Sequence, residues 1–386
     1  MSQFNFDEIV DRRNTNSYKW DSASASGIIP LWVADMDFRT ASAVQEALMP
    51  RVQHGVFGYV RVPDAYYEAL INWFGRKHGW LIKRESVIYT SGVVPAISAI
   101  IKALTQQGDK VLVQTPVYNC FFSSIRNNDC QMEESRLVMK NGRYEIDFAD
   151  FERKAADPQV KVFLLCNPHN PAGRVWSVAE LRQMAEICLR HNVFVIADEI
   201  HCELVFSPNK YTPYGSLGAD FERNAAICTS PSKAFNIAGL QIANIVATDA
   251  EIRKRIDKAI NINEVCDVNP FGVEALIAAY NEGEEWLNEL ISYLYGNYLF
   301  AKDFIEREMP QLKVTELEGT YLLWVDFRAL GLTSEVIEKM LLDKAKVWLN
   351  AGTMYGEAGE GFMRINLACP RSVLSKGLYQ IKKALL

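Results

Sequence analysis

The sequence predicts an α/β protein in two unequal parts, a large domain built on a mostly parallel, doubly wound sheet and a smaller α+β domain at the C-terminal end. Three observations lead there. Short β-rich runs alternate with amphipathic helical stretches through the middle of the chain, the pattern of a parallel sheet covered on both faces. Beyond about residue 283 the alternation gives way to one long helical stretch, short strands and a further helix. The 386 residues suffice for two or three domain-sized units, and a chain of this mass buries roughly 75% of its extended surface. A core of that size needs neither disulfide nor metal to support it.

In chain order, the strand candidates of the large domain are Val87 to Ser91, Lys110 to Gln114, Val160 to Cys166, Val193 to Asp198, Ala225 to Ser230 and Ile242 to Thr248, with helices such as Val178 to His191 between several of them. The smaller domain offers a helix from Glu284 to Glu308, strands near Leu312 to Leu317 and Tyr321 to Phe327, a helix from Ser334 to Lys344, and the run Phe362 to Leu367. The first forty-odd residues have weak periodicity and are expected to lie across the surface between the two units. The expected division is 1–45 for an N-terminal segment packing with the smaller domain, 46–283 for the large domain and 284–386 for the small one. Repeats, low-complexity stretches and Pro/Gly/Ser linkers are absent, so the domains are expected to pack closely.

Composition removes several function classes. Apolar residues at 49% and charged residues at 23% are ordinary for a globular protein, which excludes disorder. A net charge of −6 with interspersed signs makes nucleic acid an unsuitable partner. The longest apolar runs, such as Val162 to Cys166, fall far short of the ~18 residues that a bilayer-spanning helix needs, so no membrane span is expected. The N-terminus lacks the apolar stretch of a signal peptide, and the mature protein is expected to start at Met1. Eight cysteines at irregular intervals, at 120, 130, 166, 188, 202, 228, 266 and 369, form no CxxC pair. They read as reduced, mostly buried thiols of a cytoplasmic protein. Five histidines without HExxH or HxH spacing give no metal site. Glycines 352, 356, 359 and 361 lack GxGxxG spacing and read as a flexible site loop, not a dinucleotide cradle.

In open α/β sheets ligands gather beyond the carboxyl ends of the strands, and four turns there carry chemistry. Ser91, Gly92, Val93 and Val94 open a helix whose free N–H groups suit a phosphate, although the same residues also make a plain strand-to-helix turn. Asn167-Pro168-His169-Asn170-Pro171-Ala172-Gly173 is a stiff turn that presents Asn170 either to a ligand oxygen or to its own backbone. Asp198 leaves an almost wholly apolar strand, and a buried carboxylate needs a cationic partner: a protonated heterocyclic nitrogen, or an arginine in a structural ion pair. Ser230-Pro231-Ser232-Lys233 places one lysine on a turn after a buried strand. In a dry pocket its amine loses its proton and can form a Schiff base with a carbonyl. A solvated surface lysine is the alternative.

Asn170, Asp198 and Lys233 each end a separate strand of one sheet, a combination far more specific than its parts. The sequence resembles the fold type I pyridoxal-phosphate (PLP) enzymes, and among them the MalY/PatB group of cystathionine β-lyases, over nearly its whole length. The matching segments are WVADMDF (Trp32 to Phe38), HGVFGY (His54 to Tyr59), NPHNPAG, DEIH, SPSKAFNIAGL and GFMRIN (Gly361 to Asn366).

The resemblance implies a fold type I transferase with 46–283 as its PLP-binding domain, Lys233 bonded covalently to pyridoxal 5'-phosphate, and Asp198 paired with the pyridine nitrogen. That pairing keeps the ring protonated and able to take up electrons from Cα. It further implies Asn170 on the ring hydroxyl, Tyr118 stacked on the ring, and Ser230, Ser232, Gly92, Val93 and Val94 around the phosphate, with His201 of DEIH also at the cofactor. Arg364 would grip the substrate carboxylate, where a planar guanidinium suits a bidentate hold, and Asp35 of WVADMDF would also meet the substrate. Tyr59 would reach into the neighbouring subunit's site as a catalytic and substrate-binding residue, which implies a homodimer. For Arg364 and Tyr59 the plain readings are a strand arginine and a stacked core tyrosine.

The expected activity is β-elimination of L-cystathionine or a related cysteine S-conjugate to a thiol, pyruvate and ammonia. A class I/II aminotransferase needs the same Lys, Asp, Asn and Arg. A noncatalytic protein that keeps the cofactor as a structural element is the reading from another class.

Overall fold

A computed structural model describes residues 4–22, 27–264 and 267–385. Met1 and Cys266, both singled out above, lie outside them. The large sheet has seven strands in the order Val87–Thr90, Ala243–Val246, Ala225–Thr229, Phe194–Asp198, Val160–Cys166, Lys110–Thr115 and Gln131–Arg136. Only Ala243–Val246 runs antiparallel to its neighbours.

Alternation along the central strands shows why both faces are covered. Val162, Leu164, Cys166, Ile196, Ala226 and Cys228 join one apolar cluster with the helix Val93–Leu104, while Phe163, Leu165, Val195, Ala197, Ala225 and Ile227 join the other. Side chains of a strand point alternately to opposite faces, so an unbroken apolar run is what a doubly covered sheet demands. Two of the helices start where the sequence supplies an acceptor. Ser177 and Glu180 form a reciprocal capping box on Val178–Arg190, and Asn269 caps Pro270–Glu282 with proline in its first turn.

A second, four-stranded antiparallel sheet runs Lys313–Val314, Leu322–Asp326, Phe362–Asn366 and Asn350–Ala351. It places Arg364 opposite both Trp324 and Asn350. The long helix Glu284–Glu308 and the final helix Arg371–Leu385 pack beside it.

The structure departs from expectation in three places. The edge strand Gln131–Arg136 and the hairpin Val138–Lys140/Arg143–Glu145 were not foreseen, because an edge strand need bury only one side and QMEESR carries no apolar alternation. The N-terminal segment is not confined to the surface. Ile29–Pro30 pairs in parallel with Val347–Trp348, and Lys19, Leu31, Met36 and Asp37 are buried. The glycines after Leu349 do not form a loose loop but two single helical turns, Gly352–Tyr355 and Glu357–Gly359, pressed together. A Cβ on Gly352 would fall 1.9 Å from the Gly359 carbonyl oxygen, so glycine serves close approach there.

Candidate active site

Four of the turns that leave the carboxyl edge of the large sheet, after Thr90, Thr115, Cys166 and Asp198, meet the Lys233 turn around a pocket. Ala34, Val93, Val94, Tyr118, Cys166, Asn170, Asp198, Ile200, His201 and Lys233 line it.

Lys233 sits in the tight turn after Ala225–Thr229, which Ser230 shapes: its hydroxyl donates to the Ile242 carbonyl (2.5 Å) and accepts from the Ser232 amide (3.0 Å). The amine ends 2.6 Å from the carbonyl oxygen of Ala34. Burial and the positive charge of Arg364 lower its pKa, against smaller opposing effects of Asp35 and Asp198. A neutral amine is what a Schiff base or a proton acceptor requires.

Asp198 is 3% exposed and has no ion-pair partner within 4 Å among the described residues; its Oδ1 accepts only from the Ile200 amide at 3.1 Å. Burial raises its pKa to about 7, partly offset by that amide and by Lys233. A buried carboxylate facing an open pocket in this way lacks a cation. Glu199 beside it turns the other way, into bonds from Asn167, the Tyr214 amide and Tyr211.

Arg364 is equally unbalanced. It is 3% exposed, its Nη1 donates to Asn170 Oδ1 (3.2 Å), its Nη2 to the Trp32 carbonyl (2.8 Å), and its Nε has no partner. No carboxylate of the described residues pairs with it, so a buried guanidinium is left for an anion from outside. Its plane lies over the Tyr355 ring at 4.9 Å. Because Asn170 Oδ1 is taken by Arg364, the Asn170 amide nitrogen is the face left for a ligand.

The phosphate residues divide. Gly92 precedes Val93–Leu104 with no side-chain cap, leaving the first-turn amides of Val93 and Val94 at the pocket. Ser232 is buried beside Lys233. The one proton of the Ser230 hydroxyl goes to Ile242, so Ser230 braces the turn and has none for a phosphate. Tyr118 lines the pocket with a phenol that burial keeps well above its usual pKa. His201 is neutral: burial, with Lys233 and Arg364 adding, drives its pKa well below the usual value, and its ring meets Tyr321 edge-on.

Two residues stand apart from the pocket. Asp35 Oδ2 is held by Arg12 (2.5 Å), its Oδ1 lies 3.5 Å from Lys19 with no hydrogen-bond partner among the described residues, and its charge acts to raise the Lys233 pKa. Arginine and lysine of the N-terminal segment claim it, which the motif alone does not reveal. Tyr59 is 94% exposed, beside the exposed Val56 and Phe57, and is not the stacked core tyrosine that a plain reading gives.

The sequence reading also missed groups. Trp32, Val33 and Ala34 take part through their carbonyls, which accept from Arg364, Asn366 and Lys233. Tyr321 donates to the same Ala34 carbonyl. Main-chain acceptors leave no trace in residue type; only the motif WVADMDF hinted at them.

A model of the family described as aminotransferase class I and II matches residues 27–381. The chain belongs to this family. It is 42% identical over 385 residues to cystathionine beta-lyase PatB of Bacillus subtilis (strain 168), covering 99% of this chain and 100% of that one. The PLP-bound putative aminotransferase from Clostridium difficile 630 superposes with a TM-score of 0.97 at 45% identity, over 99% of this chain and 100% of that one. Cystalysin from Treponema denticola, whose crystal structure contains a pyridoxal 5'-phosphate cofactor, does so with a TM-score of 0.96 at 34% identity, over 99% and 98%. The large mixed sheet and the smaller antiparallel one are thus the fold type I transferase architecture of class I and II aminotransferases.

Proposed function

We propose that this class I/II family member is a PLP-dependent carbon–sulfur β-lyase that converts L-cystathionine or a related cysteine S-conjugate to a thiol, pyruvate and ammonia. The observation that carries the cofactor is a pair of unbalanced buried charges at one site, Asp198 lining the pocket and Arg364 bonded to Asn170 of that lining. Among the described residues Asp198 has no paired cation and Arg364 no paired anion, and the buried amine of Lys233 stands near both. A protonated pyridine and an amino acid carboxylate complete them.

The residues fit the cofactor as a set. Asp198 would face the ring nitrogen, Asn170 Nδ2 the ring hydroxyl, and Tyr118 one ring face. The amides of Val93 and Val94 with Ser232 would take the phosphate. When bound, pyridoxal phosphate supplies a carbonyl for amines and a conjugated ring that accepts the electron pair left at Cα. Arg364 holds the substrate carboxylate and so orients the Cα–H bond. Lys233, once its amine is free, takes that proton at Nζ. Asp198 keeps its negative charge opposite the ring throughout, and His201, neutral, adds no competing cation. Departure of the sulfur from Cβ as a thiolate completes the elimination.

Cystathionine beta-lyase is the name carried by a relative that matches at full length, and it supports elimination over transamination. The exposed run Val56, Phe57 and Tyr59 supports a homodimer in which Tyr59 enters the partner's site. The test is product identity. Purified protein given cystathionine, cystine and alkylcysteines is expected to release thiol and pyruvate with no keto acid present; strict dependence on a keto acid acceptor overturns the lyase reading in favour of an aminotransferase.

A further inference from the structure

The segment Trp32 to Phe38 crosses the site as a strap whose carbonyls are taken up by side chains from other parts of the chain. Trp32 O accepts from Asn350 (3.0 Å) and Arg364 (2.8 Å), and Asn366 Nδ2 serves Val33 O and Asp35 O (2.6 Å). Asn236 Nδ2 serves Met36 O (3.0 Å) and Phe38 O (2.8 Å), while its Oδ1 accepts from the Met36 amide (3.0 Å). Ala34 O takes Lys233 Nζ at 2.6 Å and the Tyr321 hydroxyl at 2.9 Å. That carbonyl therefore has both lone pairs occupied.

We propose that Tyr321 and Asn236 are positioning residues for proton transfer, clamping the strap so that the Ala34 carbonyl orients the Lys233 amine. The inference rests on Lys233 as the proton carrier of the proposed function. A neutral amine has one lone pair, and an N–H donated to a fixed acceptor decides where that lone pair points. Tyr321 fixes the acceptor from the small-sheet side; its phenol is fully buried and burial keeps it protonated, hence always a donor. Asn236 fixes it from the other side. It lies three residues after Lys233 at φ 54°, in the left-handed region that asparagine tolerates, and bolts the lysine's own turn to the strap. Both ends of the Lys233–Ala34 bond are thus held to each other.

Tyr321 also shares the Ala34 carbonyl with the amine. With the hydroxyl gone, the carbonyl is a stronger acceptor for an ammonium, so the amine holds its proton to higher pH. The other groups facing the amine are Asp198, Arg364, Asp35, His201 and Cys120, and neither variant below changes them.

The test uses the cofactor-loaded full chain and a probe without a leaving group, L-alanine in D2O, whose Cα hydrogen exchange reads proton transfer whatever reaction follows. Tyr321→Phe and, as a second route if that variant does not fold, Asn236→Gly are expected to slow exchange at saturating alanine roughly tenfold with KM changed less than twofold. For Tyr321→Phe the acidic limb of the exchange–pH profile is expected to move up by about half a unit or more. Amide hydrogen exchange of peptides spanning residues 32–38 is expected to quicken in both. Wild-type exchange rates and profile in the folded variants overturn the inference even if the strap's amides exchange faster. Wild-type chain that exchanges alanine but eliminates no cysteine conjugate overturns the lyase reading alone. Wild-type chain that exchanges neither overturns Lys233 as the carrier and this inference with it.

Discussion

Arg364 Nη1 donates to Asn170 Oδ1 across 3.2 Å, so the group placed to grip the substrate carboxylate is tied to the group placed to meet the cofactor's ring hydroxyl. The bond joins the small antiparallel sheet to a turn of the large one. Arg364→Lys keeps the charge but reaches neither Asn170 nor Trp32 with a planar fork. KM for a cysteine conjugate is expected to rise on the order of 10²-fold, with a smaller loss in kcat, in steady-state assays of thiol release. Unchanged KM would remove Arg364 from the substrate's carboxylate.

Asp198 links stability to pH. Its folded pKa is raised from 3.8 to about 7, so between those values the folded chain holds a proton that the unfolded chain has lost. Stability from this group is therefore present at low pH and lost as pH rises through that window, by up to roughly 4 kcal/mol. His169, lowered by burial from 6.5 to about 4, acts in the opposite sense over much of the same range. The Asp198 effect is isolated by comparison with Asp198→Asn. Without cofactor, the wild type is expected to lose thermal stability relative to the variant from pH 5 to 8, and bound cofactor to cancel the difference. With cofactor, Asp198→Asn is expected to lower kcat on the order of 10²- to 10³-fold.

A buried clamp away from the chemistry holds the two sheets in register. Glu318, just before the Leu322–Asp326 strand, accepts from Arg174 Nε (3.0 Å), Arg143 Nε (2.5 Å) and the Val175 amide (2.7 Å), and Arg174 is fully buried. Glu318→Gln removes the charge that two guanidiniums face. Unfolding in denaturant is expected to show a loss of about 3 kcal/mol, at the low end for a broken buried pair because Glu180 still pairs with Arg174 at 2.8 Å. Burial also predicts that added salt leaves the loss nearly unchanged.

How much of this was legible in the sequence follows from what each part rests on. The apolar strands Val160–Cys166 and Phe194–Asp198 announce themselves because a doubly covered sheet needs unbroken apolar runs, and the polar residues that end them stand out for the same reason. Lys233, Asp198 and Asn170 were readable as side chains at strand ends, and the structure gathers them into one pocket. Gln131–Arg136 was hidden by its solvated face. Ala34 was hidden because its carbonyl, not its methyl group, meets Lys233, and Tyr321 because nothing in GTY marks a donor to a strap that lies 287 residues away in sequence. The ion pairs around Asp35 were hidden because Arg12 and Lys19 belong to a segment without periodicity.

Tyr59 tests whether the site is shared between two chains. At 94% exposure it contributes nothing to its own chain's pocket, and Val56 and Phe57 beside it, 66% and 61% exposed, form an apolar run that a second copy would cover. In a symmetric dimer each site would combine Lys233 of one chain with the tyrosine of the other. Tyr59→Phe and Lys233→Ala are each expected to abolish or sharply reduce elimination alone. Mixed by joint refolding, they form heterodimers in which Lys233 of the first variant meets the intact tyrosine of the second. A random mixture is then expected to recover about a quarter of the wild-type rate, since half the dimers carry one complete site. Recovery is read as pyruvate release after mixing, with size-exclusion chromatography reporting the dimer. No recovery from a mixture that does form dimers would place Tyr59 outside the partner's site.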